Sequence, residues 1–77
     1  MTVYLEMTDD LGITMSFTPP EEELLKPDRA VTLKTKIEEY AEYFEKVEIF
    51  VNGLRKGVVN HNEKIDSIIL ELLLLTA

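Results

Sequence analysis

The chain has no cysteine, a single histidine, three glycines and three prolines, and its acidic residues outnumber its basic ones fifteen to eight. Each shortage closes a route. Without cysteine there is neither a disulfide framework nor a thiolate zinc site. A net charge of −7 repels phosphate backbones and anionic lipid, so direct nucleic-acid binding and membrane binding are not expected. A basic protein partner would instead be drawn in, chiefly through faster encounter. The first residues, MTVYLEMTDD, lack a basic stretch and a long apolar run, so no signal peptide is read there. The longest apolar run, Ile68 to Leu75, is too short to span a bilayer. The expectation is a soluble, intracellular, cytoplasmic protein.

Chemistry-bearing patterns are equally sparse. His61 lies in a polar Asn-His-Asn turn, and Ser16 and Ser67, the two serines, have no glycine-flanked elbow. Asp9-Asp10 and Glu21-Glu22-Glu23 do not match a spaced calcium loop. Gly12, Gly53 and Gly57 form no phosphate-cradling loop. No catalytic residue, cofactor or metal is assigned, and the chain is not expected to be an enzyme.

What is present is a single small domain, residues 1–77. Its 45% apolar content is too high for a disordered segment. A chain of this length buries only about 60% of its unfolded surface, so dense packing or self-association must supply the remaining stability.

Residues 2–8 alternate, with Val3, Leu5 and Met7 against Tyr4, Glu6 and Thr8. Residues 13–18 repeat the pattern, with Ile13, Met15 and Phe17 to be buried. Asp9-Asp10-Leu11-Gly12 between them predicts a β-hairpin turn. Pro19-Pro20 ends the second strand, and residues 19–31 read as a connection with at most a short helical turn over 21–26. Leu33, Ile37, Tyr40, Ala41 and Phe44 then recur at helical spacing, with Thr32 or Asp28 as N-cap. Val47, Ile49 and Val51 alternate with Glu48 and Phe50 and run into Asn52-Gly53, a strong hairpin signal, followed by a short strand over 54–59.

The final stretch, residues 65–77, is apolar on every side. As a strand it places Ile68, Leu70, Leu72 and Leu74 on one face and Ser67, Ile69, Glu71, Leu73 and Leu75 on the other, which is mostly apolar but broken by a carboxylate, as a central strand would. As a helix it gives a stripe of Ile65, Ile68, Ile69, Leu72 and Leu73. The fold class is α+β either way. The favoured order is ββαββ(β), one amphipathic helix on a small mixed or antiparallel sheet; the alternative is ββαββα with a C-terminal helix.

The favoured order, from Val47-Glu48-Ile49-Phe50-Val51-Asn52-Gly53 through Ile69-Leu70-Glu71-Leu72, resembles the ubiquitin-like β-grasp fold. That resemblance implies a last strand lying between the first and third. The chain ends Leu75-Thr76-Ala77 without the Gly-Gly tail of ubiquitin-like modifiers and sulfur carriers, so it implies neither conjugation nor sulfur transfer.

In that arrangement Tyr4, Phe50, Ile69, Leu73 and Leu75 would share the helix-free face of the sheet. An apolar patch there predicts a protein–protein interface, either a homodimer or a docking face for another protein. The alternative function is a small acidic inhibitor of phage type. In it Glu38, Glu39, Glu42 and Glu45 on the helix imitate phosphates and occupy the nucleic-acid channel of a host enzyme.

Overall fold

Strict alternation makes strands where each has a neighbour to pair with, and the first half of the chain supplies two. A computed structural model describes residues 2–75; Met1 and the Thr76 and Ala77 of the final stretch lie outside the described residues. Strands β1 (Val3–Thr8) and β2 (Thr14–Phe17) form the expected hairpin. Its turn is held by Asp9, whose Oδ1 accepts hydrogen bonds of 2.9 Å from the backbone N–H of both Leu11 and Ile13. Gly12 takes the positive φ of 83° that closes the loop.

A four-residue helix, α1 (Glu21–Leu24), follows Pro20 and buries Leu24. The long helix α2 (Arg29–Tyr43) begins four residues before Leu33, immediately after Pro27-Asp28. Asp28 is its N-cap residue and its carbonyl accepts from the N–H of Thr32, so Thr32 sits one turn inside the helix. The early start adds Ala30 to the buried stripe of Leu33, Ile37 and Ala41.

Strands β3 (Lys46–Val51) and β4 (Leu54–Asn60) form the second hairpin. Asn52 and Gly53 both have positive φ, 51° and 81°, as a tight two-residue hairpin turn requires. The Asn52 Oδ1 also accepts from the N–H of Thr2 (2.9 Å), tying this turn to the start of β1. The sheet order is β2-β1-β3-β4, antiparallel throughout.

The final stretch is a helix, α3 (Ser67–Leu75). The architecture is therefore α+β with a ββαββα-like order, and the β-grasp arrangement does not form. β1 pairs directly with β3, leaving no place between them for a last strand. Asp66 starts the helix, its Oδ1 accepting from the N–H of Ile68 at 2.7 Å. Leu70 and Leu74 face the core, with Leu70 fully buried. The stripe of Ile68 and Leu72 read from the sequence points the other way. A helix greasy on all sides carries no periodic signal to say which side goes in.

Both helices cover one face of the sheet. Val3, Leu5, Met7, Val47, Ile49, Val51 and Val59 meet Leu33, Ile37, Ala41, Leu70 and Leu74 beneath them. β2 lies at the margin. Phe17 packs edge-on against Tyr40, with Lys36 Nζ 5.0 Å from its ring centre, but Ile13 and Met15 remain exposed. The expected burial of this strand's apolar face thus holds at Phe17 alone, because the helical layer reaches no further.

The connection into α3 is pinned by polar contacts. Glu63 accepts from the Asn60 N–H at 2.9 Å and from the Asn60 side chain at 3.3 Å. These bonds, the backbone one first, hold its pKa below the ordinary glutamate value. A carboxylate whose pKa is lowered on folding stabilises the protein above its unfolded pKa, and that contribution is lost as pH falls through the folded value. Glu63→Gln is accordingly expected to flatten the fall in stability below about pH 4.3, measured by urea unfolding across pH 2–6. A slope equal to wild type would refute this role.

Helix and strand readings of the final stretch also separate by mutation. In the helix Leu70→Ala opens a cavity and should cost about 2–5 kcal/mol, whereas Leu72→Ala should stay within about 0.5 kcal/mol. In a strand the two share a face and would cost alike. Urea midpoints of the two variants decide it.

Candidate protein-binding face

The five side chains expected to form one patch are split between two surfaces. Tyr4 and Phe50 stand opposite each other on β1 and β3, on the open face of the sheet. Their rings stack with centroids 4.6 Å apart and planes 4° from parallel, so each covers one face of the other. Ile69, Leu73 and Leu75 belong to α3, on the covered side of the sheet. The reason is the absent fifth strand: without it nothing carries the C-terminal leucines to the open face.

That open face is largely polar. Glu6 lies opposite both Ser16 and Glu48. The two glutamates would repel, but Arg55 Nη1 lies 3.3 Å and Lys46 Nζ 3.5 Å from the Glu48 carboxylate. Thr8 and Thr14 hydroxyls hydrogen-bond across the edge at 3.2 Å.

The apolar excess lies instead on the helical layer. Around α3, Leu70 and Leu74 point inward, and Leu73 lies half-buried over Gly57 of β4. Glu71 turns toward α2, where its Oε1 accepts from Arg29 Nη2 at 2.9 Å. Ile68, Leu72 and Leu75, at i, i+4 and i+7, form a ridge facing away from the sheet and are 72%, 58% and 66% exposed. Ile69, also exposed, widens the ridge toward β4. Beside it runs an open groove of about 390 Å³ between α2 and α3, lined by Pro27, Asp28, Ala30, Val31, Ser67, Ile68, Glu71 and Leu72. The sequence reading missed Ile68, Leu72 and Val31 as surface residues. Asp66 ahead of a run rich in leucine, which is not branched at Cβ, was the signal for a capped helix, and from it the outward ridge follows.

No protein-family model, curated protein or solved structure matches this chain.

The four glutamates of the expected acidic face are not equivalent, and Glu45 lies beyond the end of α2, just before β3. Glu39, Glu42 and Glu45 are exposed. Glu38 is turned into the fold's connections: it accepts from the Ile65 N–H (3.4 Å), and Lys34 and Lys64 approach it at 3.7 and 3.9 Å. His61 is also structural in its contacts, its N–H donating to the Glu45 carbonyl at 2.8 Å and its Nδ1 lying 3.3 Å from the Phe44 carbonyl. Among the described residues no group of three or more His, Asp or Glu is placed to hold a metal ion, and no helix is long and apolar enough to cross a membrane.

Arg29 and Glu71 bridge α2 and α3. Arg29 is largely buried and its Nε has no hydrogen-bond partner, so Glu71 is the guanidinium's carboxylate. Glu71→Ala should cost about 1–2 kcal/mol, more than a surface ion pair, because it strands a half-desolvated cation. Chemical unfolding checks this, and a cost near zero would show that the pair contributes nothing to the seating of α3.

Proposed function

We propose that this protein acts without catalysis, by binding protein through the outer side of α3. One observation carries the reading: the outward side of α3 holds no charged residue, whereas that of α2 is mixed. On α2 the exposed positions are Thr35, Glu39 and Glu42 together with Val31 and Tyr43. On α3 the exposed positions are Ile68, Ile69, Leu72 and Leu75, with no charge among them. Folding of the monomer does not require apolar side chains there, since they contribute nothing to the core. An apolar helix ridge of this spacing is the surface that helix-in-groove and helix–helix recognition use.

Charge mimicry by the exposed glutamates of α2 is the competing reading, and attachment point separates the two. A photo-crosslinking residue placed at Leu72 in living cells is expected to give a protein adduct that disappears with Ile68→Asp. The same probe at Glu39 should give none. Circular dichroism should show Ile68→Asp folded, since its site is exposed and the cost lies within about 0.5 kcal/mol. Adducts from position 39 but not 72, dissolving steeply with added salt, would overturn the proposal in favour of mimicry.

A further inference from the structure

We infer that the occupant of the α3 face is a second copy of this chain, paired about a twofold axis; this rests on reading that face as a protein-binding one. The face carries both halves of a complementary contact. The Ile68–Leu72 ridge lies directly beside the groove that the same residues form with Val31 and Ala30. A twofold rotation seats each copy's ridge in the other's groove, which is the ridges-into-grooves packing of helix pairs. A contact of that kind is closed: it uses the face on both copies and leaves none for a third.

Size and charge agree with such a pair. Val31, Ile68, Ile69, Leu72 and Leu75 together expose on the order of 500 Å² of apolar surface, well over half of what one partner gives a standard interface. Two copies each carrying −7 repel at most orientations. On this face the ridge is uncharged and Glu71 is paired with Arg29, which leaves Asp28 in the groove lining as the carboxylate that a second copy would approach. A basic partner would find little acidic surface to read.

Sedimentation equilibrium of the full chain, from ten to several hundred micromolar, tests the pairing. The expected result is a concentration-dependent dimer that persists or tightens as sodium chloride rises from 50 to 500 mM, because screening relieves the residual repulsion. Ile68→Asp on the ridge and Val31→Asp in the groove should each weaken it at least ~30-fold, the effect of losing one central contact. Phe50→Asp on the open sheet face should leave it unchanged. Circular dichroism confirms that each variant is folded, and Leu72→Lys replaces any that is not. A monomer throughout overturns self-pairing, while the cellular adduct from position 72 then reports separately on whether the face binds another protein. A dimer surviving both aspartates, or lost only with Phe50→Asp, places the contact elsewhere and overturns the inference. A dimer lost with Ile68→Asp but not Val31→Asp overturns the ridge-in-groove geometry.

Discussion

The width of the sheet governs this structure. Strands lie about 4.8 Å apart, so four of them present a face some 15–20 Å across, while one helix covers a band of about 10 Å. A single helix on this sheet would leave half of its apolar face wet. α2 lies over the middle of the sheet, and α3 fills the place beside it toward β4, where Gly57 leaves room for Leu73. A C-terminal strand would have made the problem worse, widening the face while removing its second cover. That is why the last stretch coils, whatever its local preference between strand and helix.

The same constraint explains what remains uncovered. Two helices roof three strands well and the fourth poorly, so β2 keeps contact only through Phe17 on Tyr40 and leaves Met15 and Ile13 in water. Among the described residues no helix covers the other side of the sheet, where Glu6, Ser16, Lys46, Glu48 and Arg55 lie with Val58 and the Tyr4–Phe50 stack. The layers are thus one sheet and one pair of helices, the minimum that gives 77 residues a closed core.

The hairpins, the long helix and the α+β class were legible because each is written in a local pattern: alternation in β1 and β3, Asp9 with Gly12 and Asn52 with Gly53 in the turns, a one-sided stripe in α2. α3 was not, and the failure has a cause. Its residues are apolar at nearly every position, so neither a period of two nor one of 3.6 stands out, and the inward side is chosen by a sheet whose strands come from both ends of the chain. The candidate face inherited that error. Ile69 and Leu75 were rightly read as exposed grease, but were joined to Tyr4 and Phe50, which the coiling of α3 places across the sheet from them. The tilt of the acidic face was also illegible, since Glu38 is drawn in by Lys64 and the Ile65 N–H, contacts made only after α3 docks.

An exposed apolar ridge is a hazard for a small protein, because grease recognises grease without discrimination. Two features of this chain limit the hazard. The charge elsewhere on the surface keeps copies apart in most orientations, so that attraction wins only where charge is lacking. In the proposed twofold pair, the ridge would sit in the neighbouring groove and leave nothing to offer a third copy. A scattered distribution of the same leucines would have had neither protection and would lead toward open-ended association. The adjacency of Ile68, Leu72 and Leu75 on one uncharged helix side, beside one groove, is what would make the proposed pair defined instead of open-ended; the other exposed apolar side chains, Leu11, Leu25 and Leu54 among them, belong to other segments.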